Sequence, residues 1–313
     1  LDPAFKDYIW GGTRLRDEYG KKCDYDKVAE SWELSCHKDG PSVVADGEYK
    51  GLTLNEYIEK AGKGVLGKNC ERFENFPILI KLIDAKDNLS VQVHPDNDYA
   101  MRVEGEYGKT EMWYVVDCDE GATLLYGFKH EITKEEFARR IADNTLLEVT
   151  NAVPVKKGDV FFIKSGTLHA IGKGILIAEI QQNSNTTYRI YDYGRVGKDG
   201  KPRELHVNKA LDVTKLAPAE QYPETPVEKK DGYDIKLLSK CEYFTTYRVN
   251  VETKAELDAD ENSFNSILVL EGEPVISGGE TVSAKKGESV FISAGTGKYT
   301  VEGKCTFVLT KID

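Results

Sequence analysis

Two stretches of the chain follow one plan. Lys156 to Ile171 reads KKGDVFFIKSGTLHAI, and Lys285 to Thr300 reads KKGESVFISAGTGKYT. Each runs from Lys-Lys-Gly through an apolar strand-type segment into a turn of small residues with Gly-Thr. The run SILVLEG further on also matches MWYVVDC. A repeated strand–turn–strand device restricts the chain to folds made of two copies of one β unit.

The rest of the chain agrees. FPILIKLIDA, SVQVHP, EMWYVVD, ATLLYGF, DVFFIK and GILIAEIQQ are short runs separated by Gly, Asp, Asn and Pro. Two islands read as helices, near 53–62 and 133–149. Each opens on a threonine with glutamate three residues on, Thr53 with Glu56 and Thr133 with Glu136. In the second, Phe137, Ile141 and Leu146 or Leu147 recur at helical spacing. The expected class is mainly β. A first lobe, 1–215, carries the helical insertions; 216–235, polar and proline-bearing, is a linker; 236–313 is a second β lobe.

The formal charge of −11 excludes nucleic acid and anionic membrane as natural partners. No apolar run approaches the roughly 20 residues that span a bilayer. Six scattered cysteines without a CxxC, and no secretory leader, suit free thiols in a reducing cytoplasm.

The chemistry lies in the first copy of the repeat. Side chains two apart in a strand share a face, so Gln92 and His94 in SVQVHP point together. Glu111 opens another strand, and His169 ends the turn of the repeat. Two imidazoles, a carboxylate and an amide make a mixed N/O set of the kind zinc accepts. The aligned positions in the second copy hold Lys298 in place of His169 and Asn265 in place of Glu111. The candidate ligands disappear together while the apolar frame persists.

The segment Gly158 to His169 is similar to the second motif of the cupin superfamily, with Lys164 where proline is usual. Six ordered segments resemble the type I phosphomannose isomerases of the short Gram-positive kind: IWGGTRL, ESWELSCHKDG, LIKLIDAKDNLSVQVHPDNDYA, GKTEMWYVVDC, the stretch from KKGDVFF to YDYGR, and RELHVNKALDV. The resemblance implies two cupin jelly-roll lobes, the C-terminal one degenerate and without metal. It implies one zinc per chain on Gln92, His94, Glu111 and His169. It further implies interconversion of mannose 6-phosphate and fructose 6-phosphate through a cis-enediol, by a monomer or weak homodimer acting on a small sugar phosphate. Lys81 and Arg189 match catalytic positions; Ser90 and Arg195 match phosphate contacts. A lysine among cations would have its pKa lowered, fitting Lys81 as base or donor. Trp10, Trp32 and Trp113 would be framework or cleft wall, and His37 and His206 would not be ligands. Two departures stand out. Longer members carry a histidine where this chain has Gly108 and an aspartate where it has Asn185, which leaves ring opening and the base open, with Glu179 as a stand-in. The rival readings are an Fe(II) cupin dioxygenase and a non-catalytic sugar-binding cupin.

Overall fold

A computed structural model describes residues 1–197 and 200–313. The chain forms two pairs of antiparallel sheets. In the first pair, a six-stranded sheet runs in the order Ala4–Lys6, Glu30–Leu34, Ile78–Ala85, Ile175–Gln182, Glu111–Cys118, Val160–Ile163. Facing it, a five-stranded sheet runs Tyr188–Tyr191, Val91–Val93, His169–Ala170, Thr123–Phe128, Thr150–Pro154. The second pair has a six-stranded sheet of matching order, with Cys305–Lys311 beside Asn265–Gly272, and a four-stranded partner containing Lys254–Ala259 and Gly297–Glu302.

Alternation explains why these sheets face one another. Along Ile78–Ala85, Ile80 and Leu82 point one way and Lys81 and Ile83 the other, and all are buried. The Lys81 face turns inward, where Ile83, Trp113 and Ile177 meet Leu124, Tyr126 and Ile171 of the opposite sheet. The Ile80 face packs outward in one continuous core with Leu268, Leu270, Val308 and Phe264 of the second lobe. Phe76 and Phe264 stack across this seam with centroids 5.5 Å apart.

A buried lysine joins the two lobes. Lys21 Nζ lies 2.7 Å from Glu33 Oε1 and also donates to the Gly287 carbonyl. The Lys-Lys-Gly turn of the second repeat therefore has a docking role. Gly287 has φ +88°, and a Cβ there would sit 3.0 Å from the Tyr19 carbonyl oxygen.

Two helices cover the outer face of the five-stranded sheet. Phe137 of Lys134–Ala142 and Ala210 of Val207–Val213 pack on Val91, Val93, Leu168 and Tyr188. The first expected helix is Leu54–Ala61, with both bonds of the Thr53–Glu56 capping box present. The second stops at Ala142, short of 149. Asn144 adopts φ 55°, and a separate 3-10 turn spans Leu146–Glu148. Its cap is half of the expected box: Thr133 accepts from Glu136 N, while the Glu136 carboxylate takes Arg140 at 2.7 Å. Within the expected linker 216–235, Val227–Lys230 is already a strand paired with Tyr233–Lys240.

Candidate metal centre and active site

Register carries Gln92, His94, Glu111 and His169 to one place. Gln92 pairs directly with His169 in the five-stranded sheet. Gly166, at φ +84° in the turn before His169, donates its N–H to the His94 carbonyl at 2.8 Å and ties the two segments. Glu111 reaches across from the six-stranded sheet. His94, Glu111 and His169 are all buried, and one donor atom from each lies within 4.8 Å of the others.

The hydrogen bonds fix which nitrogens are free. His94 Nδ1 donates to the Thr186 carbonyl and His169 Nδ1 to the Thr167 carbonyl, each at 2.9 Å. A carbonyl only accepts, so both hydrogens sit on Nδ1 and both Nε2 atoms are unprotonated acceptors, met at long range by Lys109 Nζ at 3.3 Å from His94 and the Gln92 amide nitrogen at 3.4 Å from His169. Those two Nε2 atoms are 3.1 Å apart. Two lone pairs facing each other repel unless a cation lies between them. Tetrahedral zinc, with Zn–N of about 2.0–2.1 Å, separates two such nitrogens by roughly 3.3 Å. Glu111 oxygens stand 3.5 Å from His94 Nε2 and 3.4 Å from His169 Nε2, and neither accepts a hydrogen bond of good geometry. The residues fit a divalent ion. Gln92 points its amide nitrogen at His169 and its oxygen at the Ser90 hydroxyl, so a half-turn of the amide is needed to offer the oxygen.

Burial is the main cause of the pKa pattern here. It pulls His169 down to about 4 and His94 well below the ordinary range, with Lys109 adding to the second effect. Both imidazoles are therefore neutral ligands at pH 7. Burial, then the Glu179 charge, pushes Glu111 up to about 7, an effect a bound cation reverses.

Beside the ligands runs a buried ladder of alternating charge. Lys109 Nζ is 2.9 Å from Glu111 and 3.8 Å from Glu179; Lys81 Nζ is 3.3 Å from Glu179 and 3.5 Å from Glu30. Strand register builds it, with Trp32, Lys81, Glu179 and Trp113 aligned across four neighbouring strands. Lys81 does not sit among cations as expected. Burial alone would pull its pKa down, but Glu30, Glu179 and Glu111 overturn that and hold it above the usual lysine range. Lys81 is therefore protonated at neutral pH. Lys109 was not found from the sequence, although the same-face rule applied back from Glu111 points to it.

The ladder lines a cleft of about 240 Å³ with Tyr8, Trp10, Ser90, Gln92, Asn185, Arg189 and Arg203. Arg189 pairs with Gln92 in register and donates to the Glu204 carbonyl; its Nε is buried without a partner. Arg195 is not among the lining residues. It binds Asp192 and the Asn88 carbonyl, while Arg203, missed in the sequence, grips the same Asp192 through Nε at 2.7 Å and lines the cleft. His37 is 3.7 Å from Glu106 and His206 contacts Glu204; neither reaches the cluster. At Gly108 a Cβ would stand 2.4 Å from the Asp96 carbonyl carbon, so no histidine fits there without backbone movement. Asn185 is bonded to Asp39. A larger recess of about 440 Å³, lined by Phe162, Tyr222 and Lys240, shares no residue with this cleft.

Comparison with known proteins agrees with this geometry. Residues 1–121 match the family model "Phosphomannose isomerase type I, catalytic domain", and residues 234–312 match "Mannose-6-phosphate isomerase, cupin domain". The mannose-6-phosphate isomerase ManA of Bacillus subtilis is 39% identical over 99% of this chain and 97% of its own length. The chain belongs to the type I phosphomannose isomerases. Another member of the family, the mannose-6-phosphate isomerase of Streptococcus mutans, is 40% identical over 91% of this chain and 88% of its own. The crystal structure of the Bacillus subtilis mannose 6-phosphate isomerase superposes with a TM-score of 0.93 at 38% identity, covering 98% of this chain and 97% of that one. The Salmonella typhimurium enzyme reaches 0.78 at 17% identity over 99% and 98% of the two chains, a likeness of fold.

The second lobe, which matches the cupin-domain model, repeats the sheet order of the first. In this chain its interior is filled rather than liganded. The alignment set Lys298 against His169, but Lys298 is exposed and the inward side chain is Tyr299. The cause is a turn one residue longer: six steps separate Ile163 from His169, and seven separate Ile292 from Tyr299. Leu257, paired with Tyr299, stands at the register of Gln92.

Proposed function

We propose that the chain is a zinc-dependent isomerase interconverting mannose 6-phosphate and fructose 6-phosphate. Zinc would be held by His94, Glu111 and His169, with Gln92 completing the set. The observation that carries this is the pair of unprotonated Nε2 atoms 3.1 Å apart with the buried Glu111 carboxylate within 3.5 Å of both, at the wall of a cleft lined by arginines. When bound, the ion would stabilise the negative charge that develops on the substrate oxygens at C1 and C2 while the proton is carried from one of those carbons to the other.

The remaining work belongs to the protein. Lys81, protonated, donates to a sugar oxygen as charge develops through the cis-enediol. Lys109 adds a second fixed cation beside Glu111. Glu179 accepts from Trp113 Nε1 at 2.9 Å and holds both ammonium groups in place. Ser90, Arg189 and Arg203 take the phosphate, with Arg195 fixing Asp192 behind Arg203. Local positive charge thus offsets the net −11 of the chain.

The test is a coupled assay for fructose 6-phosphate with metal analysis on the same sample. Turnover with bound zinc supports the reading. Iron with oxygen uptake, or sugar binding without turnover, overturns it.

A further inference from the structure

The cleft holds one carboxylate oxygen that the metal centre and its lysines do not consume. Glu30 and Glu179 are the acidic residues lining it. Both oxygens of Glu179 are committed: Oε2 accepts from Trp113 Nε1, and Oε1 is enclosed between Lys81 at 3.3 Å and Lys109 at 3.8 Å. Glu30 differs. Its Oε2 accepts from Trp32 Nε1 at 2.7 Å and lies 3.5 Å from Lys81 Nζ. Among the described residues its Oε1 accepts no hydrogen bond, yet it is not among the enclosed atoms that lack one. That oxygen therefore opens to the cleft.

The placement is rigid. Glu30 lies on a strand buried along its whole length, and Trp32, which fixes it, is fully enclosed. An ionised carboxylate only accepts hydrogen bonds, so whatever meets Oε1 must present O–H or N–H. It also repels phosphate, which sends the phosphate toward Arg189 and Arg203. With C1 and C2 at the metal and the C6 phosphate at the arginines, the hydroxyls left for the rest of the cleft are those on C3, C4 and, once the ring is open, C5; the first two lie farthest from the phosphate arm.

We propose that Glu30 is a specificity residue that accepts a hydrogen bond from the C3 or C4 hydroxyl of the sugar. This rests on the proposed isomerase activity. A hydrogen bond to a charged group changes kcat/KM by roughly 10- to 100-fold when its partner is removed.

The experiment compares mannose 6-phosphate with its 3-deoxy and 4-deoxy analogues on wild type, Glu30→Gln and Glu30→Asp, with bound zinc measured in each. Wild type should lose at least about tenfold in kcat/KM on one analogue. Glu30→Gln should retain zinc and treat that analogue and the parent sugar within about twofold, because the hydroxyl's charged partner is already gone. Glu30→Asp should recover part of the discrimination. The inference is overturned if wild type is indifferent to both deoxy sugars, or if both variants penalise them as wild type does. A merely structural Glu30 would lower activity on all three sugars alike, which also overturns it. Failure of wild type to isomerise mannose 6-phosphate would instead sink the activity on which the inference rests.

Discussion

Asn265 Nδ2 donates to the Tyr299 hydroxyl at 2.9 Å, at the register where Glu111 and His169 face each other in the first lobe. One plan of paired sheets thus closes the same spot in two ways. In the first lobe four polar groups converge and leave lone pairs unsatisfied. In the second, a neutral hydrogen bond and the side chains of Leu257 and Ala259 fill the space. Tyr299→Phe should cost about 1 kcal/mol in denaturant unfolding and leave bound zinc and kcat unchanged. A loss of zinc or activity in this variant would show that the second lobe does more than pack.

Lys109 connects Glu111 to Glu179, and its removal separates charge from structure. Lys109→Met should keep zinc while kcat falls at least about 100-fold, the scale of losing one fixed donor from a charge-stabilising site. Steady-state kinetics with metal analysis checks this. Wild-type turnover in the variant would remove Lys109 from the chemistry.

The phosphate end distinguishes two arginines that share Asp192. Arg203→Ala should raise KM for mannose 6-phosphate roughly 10- to 100-fold, because a charge-assisted contact lining the cleft is lost. Arg195→Ala, which removes only a support, should raise it less. The reverse order would make Arg195 the clamp and Arg203 its support.

These predictions also show where the sequence was readable. The i, i+2 spacing of Gln92 and His94, and the joint loss of candidate ligands in the second copy, point to the buried cluster that could hold a metal. Lys109 and Glu30 were harder because strand neighbours far apart in sequence give them their meaning: Glu30 matters only beside Lys81, which a different strand supplies. Arg203 lies in a loop whose return to the cleft no local pattern announces. The position of Tyr299 was missed because a one-residue change in turn length moves every following side chain to the other face. The helix beginning at Lys134 was legible at its start, where Thr133 caps it. Its end was not, because the left-handed Asn144 interrupts an apolar spacing that continues past it.

Acid should destabilise the metal-free protein through His169. Its pKa is held at about 4 by burial, against about 6.5 when unfolded. Between those values the unfolded chain takes up a proton that the folded chain refuses, so stability is full above pH 6.5 and falls as pH drops toward 4. The loss amounts to about 3 kcal/mol. Chelator-treated wild type and His169→Gln, unfolded in urea across this range, should differ in slope, with the variant flatter. Equal slopes would mean that His169 is not the group responsible.

The most direct measurement strips the protein with a chelator and titrates zinc back, reading bound metal by plasma emission and fructose 6-phosphate formation on the same samples. Activity should vanish on stripping and return in proportion to zinc, saturating at one ion per chain, while His169→Ala neither retains the ion nor recovers. Full turnover by stripped protein, or saturation with zinc bound equally well by His169→Ala, would contradict a single ion held among Gln92, His94, Glu111 and His169.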